Sequence, residues 1–346
     1  MEEDFKNIKE HDVKEHYVKE YAVSVIVPVY KAENFIEKCV TSLMEQTMEN
    51  IEFVFVDDCS PDRSMEILEN VTGRYREREN DITVVRNTGN CGPSICRYKG
   101  IMHSHGKYII FCDSDDYVEK DMYSELYRKA EETDADMVWC DFIDEFGGSS
   151  VYRCEAEEED KIKLMMSILS GKCHGAQWNK LIRRNIAVKS MTVMKEGLSM
   201  WEDLLYVIKV LCYCNKIAYT SRGLYHYNQQ NISSLLSNLT VKKIEERVKV
   251  CNYLQRILTE EGMEEKVRKQ LFERMLLAKM EYITEYRFLD IRRWNELWPY
   301  AIEAKDSVRV SKMKHAILNE AARGNNICVK MMALIKYAVC MIKHSR

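Results

Sequence analysis

From Val23 onward, short runs of apolar, β-favouring residues alternate with segments whose apolar residues recur at helical spacing. VSVIVPVY, beginning at Val23, carries no charge and ends beside a proline, the pattern of a strand buried on both faces. Residues 33–46 then place Phe35, Ile36, Cys39, Val40, Leu43 and Met44 on one helical face, and IEFVFVDD at 51–58 is a second buried run. Ser60 and Pro61 read as the N-cap and first turn of another helix, ITVVR at 82–86 as a third strand. A helix near 93–104, a strand KYIIFCD at 107–113, the helix DMYSELYRKAEET and the strand ADMVWCDF carry the alternation to about residue 143. Such alternation predicts a doubly wound, mostly parallel sheet that binds its ligand beyond the carboxyl ends of the strands.

After this region the character changes. EAEEED at 155–160 reads as a solvated linker or a helix start, residues 161–236 mix helices with an aromatic strand GLYHYN, and the chain is helical in pattern from about 240. NICVKMMALIKYAVCMIKHSR at 326–346 has no acid, carries Lys330, Lys336, Lys343 and Arg346, and sets Met331, Leu334, Ile335, Ala338 and Ile342 in an apolar stripe. A basic amphipathic helix of this kind suits an anionic membrane surface; docking on its own domain or on a second subunit is the alternative, so an oligomer stays open. With 51 basic and 55 acidic residues among 346, there is no global positive field for nucleic acid, and an anionic partner must be held locally. No run of 18 apolar residues offers a membrane span. The acidic first residues and 13 scattered cysteines indicate a reducing, cytoplasmic setting, and Cys212 with Cys214 lacks a second pair at zinc spacing.

Polar groups immediately after buried strands are the informative ones. Asp57 and Asp58 end the second strand, where a carboxylate accepts hydrogen bonds from a ribose or base, or caps a turn. Asp113, Asp115 and Asp116 crowd the end of YIIF, and carboxylates this close repel unless a cation neutralises them, which suits Mg²⁺ or Mn²⁺. RNTGNCGPSICRYKG at 86–100 offers Gly89 and Gly92 for close backbone approach, and Pro93 at a helix start whose free N–H groups can face an anion. Arg97 and Lys99 supply positive charge for a diphosphate, or are solvated helix cations.

These four segments, in this order and spacing, resemble the nucleotide-sugar-binding half of the family 2 inverting glycosyltransferases, including those that build bacterial capsule and O-antigen. The resemblance continues through WNKLIRR at 178–184, MWEDLLYVIKVL at 200–211 and LYHYNQQNISS at 224–234, covering about 215 residues. It implies the GT-A fold: α/β, Rossmann-like, a mostly parallel sheet flanked by helices, followed here by a helical region. The implied division is a helical extension at 1–21, a transferase domain at 22–236 with a nucleotide-sugar half (22–143) and an acceptor half (161–236), and helices at 237–346 ending in the basic tail.

Carried over by position, Pro28, Val29 and Tyr30 match the turn that contacts the nucleoside, and Asp58, beside Asp57, matches the carboxylate that reads the base. Arg97 matches an arginine near the diphosphate. Asp113, Ser114 and Asp115 match the D-x-D that holds ribose and metal, with Asp115 the metal ligand and Asp116 its neighbour. Glu202 and Asp203 match an acidic pair opposite the donor, whose Asp is the general base. Trp178, Tyr225 and His226 can stack on an acceptor sugar, or are aromatics buried at a domain junction.

The resemblance thus implies an Mn²⁺- or Mg²⁺-dependent transfer, with inversion, from a nucleotide sugar such as a UDP-sugar to a glycan or lipid-linked glycan. Inversion needs one base on the acceptor side and no covalent sugar intermediate. A sugar-phosphate nucleotidyltransferase would show a Gly-rich start with an arginine after the first strand, which PVYKAENF lacks. A degenerate glycan-binding scaffold would not need an intact D-x-D and Glu-Asp pair. Three departures from the family pattern stand out: Lys31 where Asn is common, Cys59 where Gly is common, and Cys96-Arg97-Tyr98 where Ala-Arg-Asn is common. The Gln-x-x-Arg-Trp signature of processive synthases is absent.

Overall fold

The structure is a computed structural model that describes residues 20–155, 157–231 and 239–344; the expected extension at 1–21 falls almost entirely outside them. The chain folds as β1 (Val23–Val29), α1 (Ile36–Met44), β2 (Ile51–Asp57), α2 (Ser64–Thr72), β3 (Ile82–Arg86), α3 (Pro93–Met102), β4 (Tyr108–Phe111), β5 (Tyr117–Val118), α4 (Met122–Thr133), β6 (Met137–Glu145) and β7 (Ser150–Arg153). There follow α5 (Lys161–Leu169), β8 (Lys180–Arg183), α6 (Arg184–Ser190), α7 (Glu202–Tyr213), β9 (Ile217–Asn228), α8 (Val241–Glu260), α9 (Glu264–Lys279), α10 (Glu281–Thr284), α11 (Ile291–Glu296), α12 (Lys312–Ala322) and α13 (Asn326–His344).

The strands form one sheet in the order β3-β2-β1-β4-β8-β6-β9-β5, with β7 paired to β6. Its apolar runs lack alternation because both faces are covered. Val23, Val25, Val27, Phe53, Phe55, Tyr108 and Ile110 face α1, α2 and α4, while Ile26, Val54, Val56, Ile109 and Phe111 face the opposite side, in a cluster that continues through α7, α8 and α9.

The mostly parallel reading holds for β1 to β4; beyond them the sheet is mixed, with β8 antiparallel to β4 and β6, β7 antiparallel to β6 and β5 antiparallel to β9. WNKLIRR supplies a central strand: β8 runs antiparallel between β4 and β6, pairing Ile109 with Ile182 and Val138 with Leu181. Because β8 runs opposite to its neighbours, the residues preceding it lie at the carboxyl edge of β4 and β6, where the ligand site is expected. α7 begins at that same edge, since it leads into β9, which is parallel to β6. The helix expected to be capped by Ser60 begins at Ser64, and Asp62 holds it, accepting from the Ser64 backbone N–H and hydroxyl. Likewise EAEEED is only partly solvated. Asp160 caps α5 by accepting from Ile162 and Lys163, but Glu155 is buried and accepts the His174 backbone N–H. No described helix is long and apolar enough to cross a membrane.

Candidate active site

The turns after β1 and β2 come first. Pro28 and Val29 lie within β1, whereas Tyr30 emerges at its end with 41% exposure. Lys31 and Cys59 adopt left-handed backbone, with φ of 51° and 58°, a region that Asn and Gly tolerate best. That is the physical content of the two departures noted in the sequence. The Lys31 N–H donates to the Ser60 hydroxyl at 2.8 Å and the Ser60 N–H to Asp57 Oδ1 at 2.9 Å, so Asp57 fastens its own turn.

Asp58 is buried, and its oxygens accept three hydrogen bonds at 2.8 Å, from Asn87 Nδ2, the Cys91 N–H and the Gly92 N–H. Gly92, at φ 86°, gives α3 its start without the penalty a side chain would incur. In this arrangement Asp58 clamps the Gly-rich loop to the end of β2. A nucleobase would meet a carboxylate already engaged by three donors.

Arg97, on α3, sits at the centre of the site. Its side chain is 5% exposed and its guanidinium donates to Asp113 Oδ1 at 2.7 Å, Asp203 Oδ1 at 3.0 Å and Glu202 Oε1 at 3.4 Å. A buried guanidinium with acidic partners on two sides is strongly held in place. With its two terminal nitrogens engaged by three carboxylates, the arginine orders the acids. Burial pushes the Glu202 carboxyl up to about 8, helped by the charge of Asp203 and opposed by Arg97. Asp113 is raised for the same leading reason, with Arg97 opposing. Asp203 receives a further hydrogen bond from Gln177 Nε2 at 2.6 Å. Glu202 and Asp203 open the first turn of α7, where the macrodipole favours negative charge.

The remaining acids diverge. Asp116 is buried, with Oδ2 accepting from the Tyr225 hydroxyl at 2.6 Å and Oδ1 from the Asn228 N–H at 2.7 Å, which leaves it poorly disposed as a metal ligand. Asp115 has one oxygen on Asn231 Nδ2, at 2.9 Å, and it lines a cleft of about 490 Å³ together with Asn34, Lys38, Glu145 and Gln230. Burial and the nearby Asp113 raise its carboxyl, the signature of crowded negative charge. Among the described residues no group of three or more His, Cys, Asp or Glu side chains is set to hold a metal. The donor set therefore fits a divalent ion only through Asp115 with substrate oxygens and water completing the shell, a mode Mg²⁺ commonly uses.

The acceptor-stacking expectation is corrected for the aromatics. Trp178 and Tyr225 are 3% and 0% exposed and stack on each other at 4.2 Å, with Phe142 edge-on to Trp178. Neither offers a face to a sugar. Tyr225 instead organises the D-x-D turn, accepting from the Asp113 N–H at 3.1 Å while donating to Asp116. His226 stacks on Tyr117 and its ring nitrogens lie 2.8 Å and 2.9 Å from Glu145 and Glu119. Gln177, Asn87 and Asn231 were absent from the sequence reading. The one available signal was position, Gln177 standing directly before the WNK segment and Asn231 within LYHYNQQN.

The glycosyl transferase family 2 profile matches residues 24–189. The protein described as "Putative glycosyltransferase EpsH" of Bacillus subtilis (strain 168) is 31% identical over 257 residues, 72% of this chain and 73% of that protein. The chain belongs to glycosyl transferase family 2, and it is a glycosyltransferase. EpsJ of the same organism is 32% identical over 220 residues, 62% of each chain. The poly(ribitol-phosphate) β-N-acetylglucosaminyltransferase TarS of Staphylococcus aureus is 27% identical over 206 residues, 59% of this chain and 35% of that one. A crystal structure of TarS residues 1–349 with UDP superposes with a TM-score of 0.65 at 19% identity, covering 92% of this chain and 91% of that one. The GT-A fold expected from the sequence is therefore the fold found.

Proposed function

We propose that the protein transfers a sugar, with inversion, from a UDP-sugar to a glycan or lipid-linked glycan in surface polysaccharide synthesis, at the cytoplasmic side of a membrane. The observation that carries this reading is the Arg97 centre, which ties the D-x-D end of β4 to the acidic start of α7. In this reading residues 22–143 form the donor half and 161–236 the acceptor half. TarS, a structural neighbour, was solved with UDP and with UDP-GlcNAc, which favours uridine as the donor base.

Asp203 takes the proton of the attacking acceptor hydroxyl. Gln177 and Arg97 share its Oδ1, which leaves Oδ2 for that hydroxyl. Glu202, holding its proton more tightly, limits the charge that accumulates beside the base. The Asp58 clamp fixes the loop 88–92 against the nucleoside side of the cleft, with Tyr30 exposed next to it. A divalent cation on Asp115 supplies charge stabilisation for the departing diphosphate when bound.

The test is a thermal-shift screen of UDP-, GDP-, CDP- and dTDP-sugars with and without Mn²⁺, run beside Asp115→Ala. A metal-dependent shift confined to UDP-sugars and lost in Asp115→Ala is expected. No shift with any nucleotide, together with no donor hydrolysis, would overturn the reading in favour of a scaffold subunit.

A further inference from the structure

α13 has two apolar faces, and among the described residues only one of them is covered. Val329 and Ala333 are buried, Tyr337 packs against Tyr286 with ring centroids 5.8 Å apart, and Lys336 pairs with Glu285. This settles the docking alternative for that face. On the opposite face Ile327, Met331, Leu334, Ile335 and Val339 are 73%, 58%, 47%, 51% and 46% exposed. At 100° per residue these five fall within one continuous arc of the helix. Four of the five stripe residues named from the sequence, Met331, Leu334, Ile335 and Ala338, are exposed on this arc, while the Ile342 side chain lies outside the described ones.

An apolar row of this size on an otherwise well-packed protein marks an interaction surface. Its charge setting selects the partner. After Glu320 the sequence contains Arg323, Lys330, Lys336, Lys343 and Arg346 and no acid at all; Arg323 and Lys336 are paired with Glu320 and Glu285, while Lys330 stands exposed at the edge of the apolar row. A second copy of the chain would bring the same cations against themselves, whereas an anionic lipid surface complements them while accepting the apolar side chains. The helix has no room to be a span, because no described helix is long and apolar enough to cross a membrane. We propose that α13 lies in the interface of an anionic bilayer, inserting Ile327, Met331, Leu334, Ile335 and Val339 and holding Lys330 at headgroup level.

The experiment is co-sedimentation of the full chain with vesicles of mixed phosphatidylglycerol and phosphatidylcholine, compared with phosphatidylcholine alone, at low and high salt. Binding to the anionic vesicles, weakened several-fold at high salt, is expected. The variant Met331→Glu/Leu334→Glu/Ile335→Glu alters exposed positions, so it should keep the wild-type melting curve and lose at least ten-fold in vesicle binding. Lys330→Glu should reduce binding to anionic vesicles alone. Absence of binding to anionic vesicles, or equal binding by the triple variant, overturns the proposal. A wild-type dimer in light scattering that the triple variant abolishes, without vesicle binding, identifies the face as a self-association surface instead.

Discussion

Asp58 and Asp203 lie at the carboxyl edge of the same sheet and are held by opposite means. Asp58 is gripped by neutral donors from one short stretch, residues 87–92, and needs no cation to stay ordered. Asp203 belongs to an ionic centre in which Arg97 joins Asp113, 16 residues away, to Glu202 and Asp203, more than 100 residues away. The neutral clamp shapes a loop; the ionic centre couples two halves of the molecule. Burial makes the second arrangement strong while its partners are complete and costly once one is removed.

The sharpest way to break this contrast is Arg97→Met. It leaves Asp113, Glu202 and Asp203 without their shared cation, and a loss of about 3–5 kcal/mol in denaturant unfolding is expected. A loss below about 1 kcal/mol would show that the acids are held by other groups. Asp203→Asn removes the base with little change of shape, so turnover should fall about 10²- to 10⁴-fold while the melting temperature stays near wild type. Asp58→Ala should do the reverse. By freeing three donors, the Asn87 amide among them buried, it should cost about 1–3 kcal/mol and loosen the loop, with proteolysis around residues 88–92 as the readout.

The pH response separates the two sites further. Glu202 is raised from 4.5 to about 8, so between these values the folded protein keeps a proton that the unfolded chain has released. Stability must then fall as pH rises through that window. Glu202→Gln should flatten the fall in melts recorded from pH 5 to 8, and an unchanged slope would remove Glu202 as its source. The smallest expected effect lies in the neighbouring turn. Cys59→Gly relieves a left-handed backbone at an exposed position and should stabilise by about 1 kcal/mol in the same assay.

The first half was legible because its code is local. Continuous apolar runs such as VSVIVPV and YIIF, bounded by helices with one apolar face, leave little choice but a parallel sheet, and their acids could be placed at strand ends from order alone. The helix boundary shifted where local hydrogen bonds competed: Asp62, two residues after the expected cap Ser60, accepts from Ser64 and sets the start of α2. The aromatic residues misled for a different reason. A Trp or Tyr looks the same in sequence whether its face is open or covered, and for Trp178 and Tyr225 the cover comes from each other across 47 residues.

The sequence by itself determined the fold class, the strand-end positions of Asp58, Asp113 and Asp115, and the basic, acid-free character of the last helix, because hydrophobic period and charge are properties of neighbours along the chain. Only the tertiary structure decided that β8 enters the sheet against the grain, that Gln177 reaches Asp203, and that one arginine serves three carboxylates. Those contacts join residues far apart in sequence, where burial raises the cost of an unpaired charge or amide and so favours pairing across the fold.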